Sequence, residues 1–184
     1  MTIMALSYVS EKRSILSILD LALWRLLGQP IFRLVPLPLF SARVIILRLF
    51  GASIGRNNKV YPSVRIWLPR NLTLGSHSGI GENVYLYNKA PIVIGSYCVI
   101  SWSSFICTAS HDYESPGFEL FAAPIVIDDL SWVAASSIVM PGLHVSRGSI
   151  VGAGSVLTKS TEPWGIYAGN PAKLRNRRTP LLRS

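Results

Sequence analysis

A chain of 184 residues with a formal net charge of +9, 49% hydrophobic and 15% charged residues is long enough for one domain with a buried core, and its composition excludes a disordered segment. The charge sits at the two ends, in residues 1–50 and 159–184, without a helix-turn-helix, zinc-finger or RNA-binding aromatic signature. Nucleic acid is therefore excluded as the partner, leaving an anionic membrane face or a phosphorylated ligand.

The first fifty residues read as two helical stretches, 11–28 and 38–50, separated by Pro30, Pro36 and Pro38. Ile15, Leu16, Leu19, Leu23, Leu26 and Leu27 make an apolar stripe on the first. Asp20 and Arg25 interrupt it, so residues 15–27 are too short and too charged to span a bilayer, and no cleavable signal peptide is visible. Two roles fit. The segment caps the open end of the structure that follows, or it touches a membrane surface through its leucines and Lys12, Arg13, Arg25, Arg33, Arg43 and Arg48.

From Ile54 onward an aliphatic residue recurs every six positions: Ile54, Val60, Ile66; Leu74, Ile80, Leu86; Ile94, Ile100, Ile106; then Ile127, Val133, Val139, Val145, Val151 and Leu157. Neither an amphipathic helix nor a flat strand has period six. The period breaks after Ile66, after Leu86 and, by the longest gap, after Ile106, each time at the end of a triplet. If three hexads form one turn, all insertions fall at one corner of a triangular prism. This predicts a solenoid of about five coils in which the aliphatics point inward and stack at roughly 4.8 Å. Gly and Asn near the turns are expected to take left-handed backbone angles. Cys98 and Cys107, within this stretch, show neither a disulfide framework nor metal-ligand spacing and read as packed thiols of a reducing compartment.

The long insertion, about residues 107–126, opens Cys107-Thr108-Ala109-Ser110-His111-Asp112-Tyr113. A loop that leaves a strict solenoid serves no obvious packing purpose, which points to function. His111, near its base, is a candidate general base; Asp112, Glu114 or a backbone carbonyl are the candidates for orienting it. His77 and His144 read as turn or surface residues. They suggest a rival, a metal site shared by three histidines, but within one subunit they are too far apart along the prism to share a tetrahedral ion.

The repeat, with Ile80-Gly81-Glu82-Asn83-Val84, Ser110-His111-Asp112-Tyr113, Pro141-Gly142 and Ala168-Gly169-Asn170-Pro171-Ala172-Lys173, resembles the hexapeptide-repeat acyltransferases over about residues 51–176, closest to the exopolysaccharide branch that includes colanic acid acetyltransferases. The resemblance implies an all-β, left-handed parallel β-helix with an N-terminal helical segment and a protruding loop. It divides the chain into a helical cap or membrane-proximal segment (1–50), the acyltransferase domain (51–176, loop 107–126) and a basic tail (177–184).

It also implies an acetyl-CoA-dependent O-acetyltransferase of surface-glycan biosynthesis, acting by direct transfer with His111 as base and needing no metal. The alternatives are N-acetylation of an amino sugar or amino acid, and a metal-bearing prism protein like the γ carbonic anhydrases. The implied CoA contacts are Trp132, Ala135, Ala153, Thr158, Lys159, Lys173 and Arg175. The implied acceptor contacts are Asn88 and Asp112, with Asn88 two residues beyond the place where relatives carry their asparagine. The implied partners are two further copies in a homotrimer, CoA, and a sugar or lipid-linked glycan, in the cytoplasm with peripheral contact at the inner membrane face.

Overall fold

The structure, a computed structural model, describes residues 7–8 and 15–180. Hexads become short strands that stack in parallel into three faces. The first face aligns Ile54, Leu74, Ile94, Ile127 and Val145. The second aligns Val60, Ile80, Ile100, Val133, Val151 and Tyr167. The third aligns Ile66, Leu86, Ile106, Val139 and Leu157. All of these side chains are buried, so the prism interior is a continuous aliphatic ladder. The five expected coils are complete, and a partial sixth adds the strand Gly165–Ala168, which the strand Lys173–Arg177 covers in antiparallel fashion.

Two corners are tight and one is open. At the first corner, between the first and second faces, Asn57, His77, Tyr97, Leu130, Gly148 and Trp164 all have positive φ. From His77 onward, each donates its backbone N–H to the coil before it. At the second corner, Asn83, Ser103, Ser136 and Gly154 repeat the pattern. Four of these ten positions, Asn57, Asn83, Gly148 and Gly154, are the expected Gly or Asn; the other six are not. The inter-coil hydrogen bond holds the left-handed turn even for His, Tyr, Leu and Trp. The glycines that follow the aliphatics serve close approach instead: a Cβ on Gly75 would lie 2.5 Å from the backbone of Gly95. Inside these corners, the hydroxyls of Ser78, Ser104, Ser131, Ser137 and Ser149 donate to carbonyls of the next coil. They satisfy backbone that would otherwise be buried without a partner.

The third corner takes every insertion, as the breaks in the period predicted. It holds the turn Pro69–Asn71, the segment around Asn88–Ala90 and the long loop after Cys107.

The N-terminal segment is a helical layer over the first coil. Helical backbone runs from Ile15 to Leu34 through a π turn at Trp24–Gly28. Pro30 does not end it, contrary to the sequence-based expectation. The wide turn pairs the N–H of Gln29 with the carbonyl of Trp24, and Pro30 falls in the first turn of the helix that follows, where its missing N–H is tolerated. Pro36 and Pro38 do break the chain before the second helix, Phe40–Leu49.

Trp24, Phe32, Val44 and Leu47 merge with the prism interior in one core. Trp24 donates its indole N–H to Ile66 (2.8 Å). Arg43 is completely buried and donates to the carbonyls of Val60, Val35, Pro36 and Leu37. Arg48 donates to those of Ile54 and Gly55. These two cations, read from sequence as available to a membrane, are bound to backbone instead: Arg48 to the edge of the first coil, and Arg43 to that coil at Val60 and to the Val35–Leu37 linker. Lys12, Arg13, Arg183 and the start of the first helical stretch lie outside the described residues.

Candidate active site

His111 ends the strand Ala109–His111, which pairs with Leu120–Ala122; a third strand, Ser7–Tyr8, pairs with the outer edge of Leu120–Ala122. The insertion is thus a small sheet with its own cluster of Ala90, Ala109 and Ala122, packed by Tyr87 and Leu120. The expectation that the loop lacks a packing purpose is corrected to this extent. The hairpin holds the imidazole in the open, and Nδ1 lies 2.5 Å from the carbonyl oxygen of Phe118. A carbonyl can only accept, so Nδ1 carries a proton, and in the neutral ring Nε2 then presents the lone pair. Of the candidates to orient the ring, it is the backbone carbonyl that stands there. Asp112 instead accepts the N–H of Glu114 (3.0 Å) and shapes the hairpin turn.

Asn88, the other expected acceptor contact, is fully buried: its Oδ1 accepts the N–H of Leu68 and its Nδ2 donates to the carbonyl of Leu68. An amide enclosed and occupied in this way offers an acceptor nothing, and the assignment is corrected to a clamp between the first two coils at the insertion corner.

The expected CoA contacts form two groups. Ala135 and Ala153 are stacked one coil apart at the second corner, where the N–H of Gly154 meets the carbonyl of Ala135. The same corner leads down to Gly169 and the exposed Lys173 and Arg175, with Arg175 donating to Ala168 (3.2 Å). Trp132 projects from the second face and donates to the Ser101 hydroxyl (2.8 Å). Thr158 and Lys159 are exposed at the third corner, two coils beyond the hairpin that carries His111. The sequence reading missed Trp102, which is 63% exposed and lies against Gly81, where a Cβ would come 2.8 Å from the indole. The signal was present: Trp102 occupies the hexad position of Ala135 and Ala153, so register alone places it in their column.

His77 stacks on Tyr97 at 4.9 Å in the first corner, and His144 pairs with Asp128 (2.7 Å) on the first face three coils away. Among the described residues no three His, Cys, Asp or Glu gather as a metal site. The thiol of Cys107 donates to Ala109 and that of Cys98 to Asp128, and burial raises both pKa values, that of Cys98 to about 11. Neither is a nucleophile in this state. In the tail, Arg177 pairs with Glu162, and Arg178 lies over Trp164 while donating to Leu130 and Gly148.

No family model matches the chain. It is 43% identical, over 150 residues that cover 82% of each chain, to a protein of Escherichia coli (strain K12) provisionally named as a colanic acid biosynthesis acetyltransferase. A hexapeptide-repeat acetyltransferase of Vibrio cholerae superposes with a TM-score of 0.80 at 25% identity, covering 90% of this chain and 94% of that one. A galactoside acetyltransferase solved with coenzyme A superposes with a TM-score of 0.81 at 19% identity, over 91% and 84% of the two chains.

Proposed function

The chain belongs to the hexapeptide-repeat acetyltransferases and shares their left-handed parallel β-helix, and from that premise we propose that it transfers an acetyl group from acetyl-CoA to a sugar hydroxyl of a surface polysaccharide. The observation that carries the chemistry is His111 on an exposed hairpin, with Nδ1 held by Phe118 and Nε2 without a hydrogen-bond partner among the described residues. Nε2 takes the proton of the acceptor hydroxyl as its oxygen attacks the thioester carbonyl. The tetrahedral intermediate collapses, the C–S bond breaks, and the imidazolium returns the proton to the leaving thiolate. An ester and free CoA result, with no acyl-enzyme. The inert state of both thiols supports direct transfer.

For the donor, the small residues Ala135 and Ala153 leave room for the pantetheine arm along the second corner. Lys159, Lys173 and Arg175 supply cations for the phosphates, and Trp132 and Thr158 flank the path. Thr158 and Lys159 share the third corner with His111, but Ala135, Ala153, Lys173 and Arg175 stand at the second, which supports a homotrimer whose sites each combine the hairpin of one copy with the second corner of the next. Asp112 remains beside the acceptor path through its position next to His111. The donor is cytosolic, and we place the enzyme in the cytoplasm, working on glycan assembled at the inner membrane face.

The test is acetyl-CoA turnover against nucleotide sugars, lipid-linked sugars and oligosaccharides, followed by hydroxylamine treatment of the product. A sugar product that releases acetyl under alkaline hydroxylamine is the expected ester. A stable amide would replace this reading with N-acetylation.

A further inference from the structure

We propose that the helical layer over the first coil is a docking face that seats the enzyme on an anionic bilayer. This rests on the inner-membrane reading above and deepens it. The helical run from Ile15 to Leu34 is held by one side only, where Trp24, Gly28 and Phe32 are buried. On the side turned away from the prism stand Leu19, Leu23, Leu26, Leu27, Ile31 and Leu34, all exposed, Leu26 by 75% and Leu34 by 81%. A surface helix normally turns polar groups to water; this one is apolar on both sides. A contiguous apolar patch of this kind marks an interaction surface. Among the described residues no helix is long and apolar enough to cross a membrane. With one side bound to the protein, the helix would lie along a bilayer surface, its leucines in the headgroup–acyl boundary.

The charge around this layer selects the occupant. From residue 15 to residue 81 the only carboxylate is Asp20, and it is paired with Arg70 (2.8 Å). The same stretch holds Arg25, Arg33, Arg56, Lys59 and Arg65, besides the two arginines bound to backbone. Two clefts flank the helices. One, of about 590 Å³, is lined by Arg33, Pro62, Ser63, Arg65 and Asn83; the other, of about 560 Å³, includes Arg48, Arg56 and Lys59; among the described residues neither has a carboxylate in its lining. Phosphate headgroups suit both. A second copy of this chain does not suit the face: a symmetric pairing would set cations against the same cations, and among the described residues of this layer the one carboxylate, Asp20, is already paired with Arg70.

The experiment is flotation of full-length protein with vesicles of phosphatidylcholine, with and without phosphatidylglycerol. Leu26→Glu with Leu34→Glu tests the apolar side, and Arg33→Glu with Lys59→Glu tests the clefts. All four side chains are exposed, so melting temperature and acetyl-CoA hydrolysis or turnover should match the parent. The parent is expected to float with the anionic vesicles, and each double variant to bind at least about tenfold more weakly. Parent protein that stays unbound, or a leucine double variant that floats as the parent does, overturns the proposal. So does a leucine variant that keeps its vesicle binding but loses mass in light scattering, because the face would then join copies of the chain.

Discussion

At the scale of single residues, the site depends on one imidazole whose orientation is set by main chain. His111→Ala removes an exposed ring that, among the described residues, is hydrogen-bonded to Phe118 alone. Melting temperature and CoA binding should be unchanged while turnover falls by about two to four orders of magnitude. Near-parent turnover would remove His111 from the chemistry. Cys98 allows a prediction about pH. Its folded pKa of about 11 lies above the ordinary thiol value of 9.0 because burial penalises the thiolate. Between these values an unfolded chain releases a proton that the folded chain keeps, so stability should fall as pH rises from about 9 toward 11. Denaturant midpoints across that interval, compared with Cys98→Ala, measure the effect; the variant should lose this part of the slope. In the folded parent at pH 8, iodoacetamide should label Cys98 only on the timescale of unfolding, since about one thiol in a thousand is ionised.

At the scale of elements, the cap and the first coil stabilise each other. Trp24→Ala would empty a buried site beneath the helical layer and free the Ile66 carbonyl, at about 3–5 kcal/mol. Arg43→Met keeps the side-chain length but abandons four carbonyls, at about 3 kcal/mol or more. Urea unfolding measures both, and a change within about 0.5 kcal/mol in either would mean that the cap is merely appended. The prism was legible in the sequence because each hexad advertises its inward residue and each insertion marks the same corner. The position of His111 was legible because the longest insertion carries it. What escaped the reading depends on contacts between distant segments. Asn88 looks like a free amide until the first coil closes on it through Leu68. Pro30 looks like a helix end until the π turn before it absorbs the missing N–H. Arg43 and Arg48 look like surface charge until the Val35–Leu37 linker and the edge of the first coil turn their carbonyls toward them.

At the scale of the whole molecule, a site divided between the hairpin of one copy and the second corner of another has a measurable signature. Light scattering should give about 61 kDa, three times the 20.2 kDa chain. His111→Ala and Ala153→Trp, a substitution that fills the proposed pantetheine path, should each be nearly inactive alone. Unfolded together and reassembled in equal amounts, they should recover about a quarter of parent activity, because random trimers then contain intact sites. Recovery no better than either variant alone would mean that each chain builds its site by itself. The unequal corners also have a bearing on how such proteins diversify. At two corners each turn residue from the second coil onward is tied by its N–H to the preceding coil, so a length change there would shift the register of everything after it. The third corner has already absorbed a short turn, a two-residue excess and a hairpin without disturbing the stack. Heritable variation in loop length is therefore channelled to the edge of the prism where His111 stands, so that acceptor preference can drift while the ladder of aliphatics is left alone.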